Sequence, residues 1–221
     1  LQRRPALLTG ILVLLSVGVP AASAPPKLDH GGRSDRAEAY RVMSCTVRAR
    51  PALATNFLKA TEKAERDRAA AKLVTGVESC VFADSPARSV SRKISFGPGI
   101  SGGIVAEALL AKMPQITLPP LPLAREYQSP WKDVSGRDIV LEEMAVCVAA
   151  TNPAGVTSLL ATELDTSAEK VAVSALQASL TSCLSAAAVL NANVAAIRAA
   201  LAEALYHRVA ADLPLATAQK N

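Results

Sequence analysis

Met43-Ser44-Cys45-Thr46-Val47-Arg48-Ala49-Arg50-Pro51-Ala52 returns as Ala145-Val146-Cys147-Val148-Ala149-Ala150-Thr151-Asn152-Pro153-Ala154, with the cysteine and the Pro-Ala pair in register. A repeated segment of this kind is the signature of a duplicated structural unit. The echo continues downstream. With one residue inserted, Leu73, Val77, Cys80 and Val81 fall on Leu176, Leu180, Cys183 and Leu184, the three-and-four spacing of one helix face. Further on, Ala106-Glu107-Ala108-Leu109 falls on Ala202-Glu203-Ala204-Leu205. The expected fold is therefore all-α: two tandem four-helix units, residues 35–112 and 137–210, each with its own disulfide.

Composition agrees with that reading. The 221 residues are 50% hydrophobic, 19% charged and only 3% aromatic. Alanine, the best helix former, dominates the apolar fraction, while the β-branched and aromatic residues that favour strands are comparatively few. Asp35 with Glu38, and Thr166 with Glu169, have the spacing in which a side-chain oxygen caps a helix start and a later carboxylate reaches back. Pro51 and Pro153 suit the first turn of a second helix, where a missing N–H costs nothing.

A duplicated unit should duplicate its crosslink. If the first and third helices of each unit run parallel, Cys45 meets Cys80 and Cys147 meets Cys183 at the same level. The bland alternative is four buried thiols acting as small apolar residues. Disulfides imply an oxidising compartment, and the N-terminus agrees. Arg3-Arg4, an apolar run from Ala6 to Val19 and the small residues Ala22-Ser23-Ala24 have the layout of a secretory signal peptide over residues 1–24. Its apolar run stops near Pro20, short of the roughly 20 residues a membrane anchor needs, so no stable membrane span is expected. Residues 25–34, with Gly31-Gly32, look like a mobile leader, and residues 211–221 like a C-terminal tail. Between the units, residues 113–136 contain Pro114, Pro119, Pro120, Pro122 and Pro130, too many for a helix or a central strand. They form a stiff connector, and Trp131, the single tryptophan, is expected to pin it onto one unit.

Several segments invite a functional reading. Gly97, Gly99 and Gly102 match G-x-G-x-x-G, the turn that brings backbone close to a dinucleotide pyrophosphate, but no second strand with a ribose-binding acid follows. Gly99-Ile100-Ser101-Gly102-Gly103 also matches the G-x-S-x-G turn of hydrolases. Ser101 would then need a histidine, and only His30 and His207 exist. A loosened helix start or a close helix crossing explains the glycines more simply. Glu203 and His207, four apart, can share a helix face, yet two ligands do not make a metal site, and a helix-surface hydrogen bond is the expectation. No cofactor or metal follows from these patterns.

Charge is divided unevenly: fifteen basic against nine acidic residues from Lys27 to Lys112, seven against ten from Gln115 onward. The densest run, Thr61 to Arg68, mixes both signs as a solvated helix face does. It lacks the single sign and aromatic platforms of a nucleic-acid interface.

Cys147-Val148-Ala149, Asn152-Pro153-Ala154, Leu159-Leu160-Ala161-Thr162 and Ala202-Glu203-Ala204-Leu205-Tyr206 resemble exported bacterial proteins carrying a Cys-paired helical unit. The second copy carries the resemblance best; the first departs through its glycines and higher charge. The resemblance implies an envelope location and a helical fold, with no activity attached. The function expected on these grounds is a periplasmic or secreted binding or scaffold protein, taking a partner protein or an apolar peptide or ligand between its units. The alternative is a small envelope enzyme or dinucleotide binder built on Gly97 to Gly103.

Overall fold

Pro51 and Pro153 each stand at the first position of a helix, and the residue before each takes the same bent conformation: φ −137°, ψ 57° at Arg50 and φ −137°, ψ 59° at Asn152. The proline ring fits the helix start and has no N–H to lose there. Helix α1 (Asp35–Ala49) thereby turns into α2 (Pro51–Lys59), and α6 (Ile139–Thr151) into α7 (Pro153–Leu160), the second pair bent by 107°. Asn152 caps α7 by accepting from the Gly155 N–H at 3.0 Å. Arg50 has no acceptor to offer and instead donates to the Lys72 and Gly76 carbonyls at 3.2 and 2.9 Å.

The computed structural model describes residues 28–29, 33–76, 78–81, 98–113, 118–121, 129–185 and 188–218. The expected signal peptide at 1–24 lies outside them, as do Gly97, His30 and much of the connector. The described chain is mostly helical. Its one ladder pairs β1 (Leu28–Asp29) with β2 (Arg33–Ser34), inside the segment expected to be a mobile leader.

Among the described residues each half contains five α-helices where four were expected, because the expected third helix is broken. In the first half α3 (Lys63–Val74) and α4 (Glu78–Val81) are separated by Gly76 at φ 70°, a conformation that favours glycine. In the second, α8 (Ser167–Ala175) and α9 (Gln177–Ser182) meet at Leu176. Cys45 is bonded to Cys80 and Cys147 to Cys183, each pair with Cα atoms 5.6 Å apart, and no free cysteine remains. Sequence separations of 35 and 36 give each crosslink about 3 to 4 kcal/mol in the chain-entropy account.

The halves are not strung apart on their connector; they share a seam. Helix α5 (Pro98–Leu110) and helix α10 (Val194–Ala218) make the most extensive helix contact among the described residues. Helix α10 also runs beyond residue 210, where a tail was expected. A Cβ on Gly103 would fall within 3.0 Å of the Ala199 backbone, so this glycine is where the two axes approach most closely. Buried Ala106, Ala108, Ala200 and Ala202 extend the close contact. One apolar core lies beneath α6, α7 and α9 (Met144, Val148, Leu159, Leu176, Leu201) and the other beneath α1 to α3 (Val47, Phe57, Leu58, Leu73). Trp131, on a 3₁₀ turn at Pro130–Val134, is 3% exposed and belongs to the first of these, so the connector is indeed pinned there.

Charged residues lie inside the seam. Glu203 is fully buried and accepts from Arg66 at 2.6 Å and Arg137 at 2.7 Å; Arg137 also holds Glu142 and donates to the Gly99 carbonyl at 2.7 Å. Burial works against the Glu203 charge, but Arg137 and Arg66 together bring its pKa below the usual carboxylate range. Toward the N-terminal end of α10, Arg198 donates to Glu107 at 2.5 and 3.1 Å and to Glu169 at 3.1 Å, and Arg36 closes on the same Glu169. Arg66, placed on a solvated face by its mixed-charge neighbours, is instead 4% exposed, stacked on Phe57 and paired with Glu203. Thr166 and Glu169 do form a cap, Thr166 accepting from the Glu169 N–H at 3.3 Å and Glu169 from the Asp165 N–H at 3.0 Å; Glu169 is also 2% exposed and bound to two arginines.

Two substitutions test the seam. Gly103→Val forces α5 away from α10 and should lower the urea-unfolding free energy by at least about 1 to 3 kcal/mol, as overpacking does. Glu203→Leu leaves Arg66 and Arg137 buried without their shared anion and should cost about 3 to 5 kcal/mol in the same measurement. A wild-type-like midpoint in either variant contradicts the assignment.

Candidate functional site

Helices α1, α5, α7 and α10 enclose a groove of about 540 Å³, within the range that holds small ligands. Its walls are apolar: Leu110, Met113, Leu160, Leu205 and Val209, with Ala108, Ala111 and Ala154 making room. The groove lies between the cores, since Leu110, Met113 and Leu160 pack against both. Four polar side chains line it, namely Tyr40, Ser44, Glu107 and Thr157. Thr157 donates its hydroxyl proton to the Pro153 carbonyl at 2.9 Å, which leaves oxygen lone pairs to accept another bond. Tyr40 Oη is buried with no hydrogen-bond partner among the described residues.

Glu107 is the one carboxylate among the described residues of the groove wall. Burial pushes its pKa up, and Arg198, bound to both carboxylate oxygens, only partly offsets this. Arg198 itself is fully occupied, donating also to Thr162 Oγ1 and to the Leu160 and Thr162 carbonyls at 3.0 to 3.1 Å. It is a structural cation rather than an anchor for a ligand.

The glycine segment takes no part in this site. Gly99, Ser101, Gly102 and Gly103 all sit within α5. The space over Gly102 is taken by the Glu203 carboxylate and the Arg66 guanidinium, and that over Gly103 by Ala199. A phosphate has nowhere to approach these two glycines.

His207 is equally committed. Its ring stacks on Trp131 with centroids 4.4 Å apart and planes within 6°, and Tyr206 meets it edge-on at 5.4 Å. The expected Glu203–His207 surface hydrogen bond gives way to burial of Glu203 between two arginines and stacking of His207. Among the described residues no three His, Cys, Asp or Glu side chains gather as metal ligands would. What the sequence reading missed was the groove, whose walls come from four distant segments.

Burial lowers the His207 pKa to about 4, with Glu203 opposing and the Arg66 and Arg137 charges adding to the shift. The unfolded chain, with an ordinary pKa of about 6.5, therefore takes up this proton first as pH falls. The contribution of neutral His207 is complete above about pH 6.5 and is lost as pH falls through about 4. It amounts to at most about 3 kcal/mol, at about 1.4 kcal/mol per pH unit. His207→Phe keeps a ring against Trp131 and should flatten the stability–pH curve between these limits; parallel urea-derived curves for the two proteins would contradict this.

Comparison with family models, with curated proteins and with solved structures finds no match to this chain, so the function rests on the geometry of the groove.

Proposed function

We propose that this chain is an exported, disulfide-bonded binding protein, made of a duplicated Cys-paired helical unit, that holds a mainly apolar ligand in the groove between α1, α5, α7 and α10. The observation that carries the reading is the groove itself: an apolar space at the junction of two cores, with few polar groups, as ligand sites commonly have. No group in it is poised as a nucleophile. Glu107, the one carboxylate, is tied to Arg198.

Matching features in the two halves support the duplication. The Arg50 and Asn152 backbones agree within 2° in ψ and share φ, the helices follow in the same order, and the disulfide separations differ by one residue. Export is supported by the oxidised state of all four cysteines, which fits the periplasm or the exterior better than a reducing cytoplasm.

Titration with N-phenyl-1-naphthylamine, a neutral apolar fluorophore, provides the test. Saturable enhancement with a micromolar midpoint is expected from the oxidised protein. Ala154→Trp, at an exposed position on the groove wall, should weaken it at least about tenfold. Unsaturable binding, or equal binding by the variant, refutes the groove as the site.

A further inference from the structure

The two halves treat the end of the α5–α10 pair differently, and the difference indicates what the groove takes. Because Ala106-Glu107-Ala108-Leu109 falls on Ala202-Glu203-Ala204-Leu205, the next two residues, Leu110 and Ala111, fall on Tyr206 and His207. Likewise Pro51-Ala52 falls on Pro153-Ala154, which places Thr55 on Thr157. In one half, then, α10 sends Tyr206 into the core beside α2, 3% exposed and close enough to Thr55 for that hydroxyl to oppose the rise that burial gives the phenol pKa. His207 follows, and Trp131 stacks upon it. In the other half the corresponding Leu110 and Ala111 are smaller, and there the groove of about 540 Å³ remains, with Thr157 on its wall.

We infer that the groove binds a small hydroxylated aromatic molecule, whose ring takes the place that Tyr206 fills in the other half and whose hydroxyl donates to Thr157 Oγ1. This rests on the proposed ligand groove and on the duplication. The closed half shows the chemistry that this pocket shape accepts: aromatic rings, with a phenol beside a threonine. The open half supplies its own matching partners. Thr157 has given its proton to the Pro153 carbonyl and so accepts, while Tyr40 Oη on the wall is buried without a partner. An aliphatic chain would satisfy neither hydroxyl. An anionic headgroup would meet Glu107 before any free cation, since Arg198 is already saturated.

The experiment is calorimetric titration of the full oxidised protein with 2-naphthol, naphthalene and decanoate, after N-phenyl-1-naphthylamine has established whether the groove binds at all. The expected result is that 2-naphthol binds about five- to tenfold more tightly than naphthalene, the factor of one good neutral hydrogen bond. Decanoate should bind weakest of the three. Thr157→Val should abolish the naphthol preference and leave naphthalene unchanged. Leu110→Tyr with Ala111→His, which copies the closed half, should abolish binding of both aromatics. Equal affinity for 2-naphthol and naphthalene, or a preference that survives Thr157→Val, overturns the hydroxyl assignment while leaving an apolar groove in place. Tighter binding of decanoate than of 2-naphthol overturns the aromatic class. Failure of every probe, N-phenyl-1-naphthylamine included, overturns both readings. Should the double variant not fold, Thr157→Val, a conservative change at an exposed position, decides the question alone.

Discussion

The close crossing of α5 and α10 is the constraint on which the rest of the molecule depends. At Gly103 the two helices approach so nearly that no side chain fits, and buried alanines lie on both helices nearby. Such proximity gives good dispersion contact but little apolar area from the seam itself, because alanine buries few atoms. The larger residues lie on either side, in two cores that the crossing holds together. Each core has its own disulfide, so the crosslinks stiffen the halves while the seam sets their relation.

Buried ions specify that relation more than they strengthen it. Glu203 with Arg66 and Arg137, and Arg198 with Glu107 and Glu169, leave water at a cost that their attraction roughly offsets. Any other register of α10 on α5 would leave at least one of these charges buried without its partner, and that penalty is large. A shallow apolar seam slides easily; a seam with two ion clusters does not. The groove benefits from this, since its walls come from both halves and hold their spacing only while the register holds.

How much of this was legible in the sequence depended on distance along the chain. The cysteines, the Pro-Ala junctions and the helix faces repeat locally, and local repetition can be seen without a structure. The broken third helix was partly visible in Thr75-Gly76, yet the apolar spacing up to Cys80 argued for continuity. Arg66 was placed on a solvated face, and the arginine partners of Glu169 were not foreseen beyond its cap, because a partner such as Glu203, 137 residues away from Arg66, leaves no local trace. The glycines pointed to a close crossing among other readings; only the fold shows that Gly103 approaches Ala199 while Gly102 leaves room for Glu203 and Arg66. The groove was the least legible feature, being a space between side chains that come from segments far apart in the chain.

On the proposed correspondence of the halves, the two ion clusters also explain why the copies diverged. Leu73 falls on Leu176, so Arg66 falls on Glu169; Glu107 falls on Glu203, so Gly102 falls on Arg198. In the first arrangement an arginine neutralises Glu203 directly, and position 102 must be empty, because any side chain there would strike both the Glu203 carboxylate and Arg66. In the second arrangement the corresponding position carries Glu169, whose charge, sitting near Glu107, raises the Glu107 pKa further. Two carboxylates cannot share such a site without a cation between them, and Arg198 supplies one from the position that is glycine in the other half. The exchanges are therefore coupled: an arginine at 66 needs a glycine at 102, and a glutamate at 169 needs an arginine at 198. Neither pair can be transferred one residue at a time without leaving a buried charge unmatched or a side chain without room. A duplicated chain that made both exchanges would no longer have interchangeable halves.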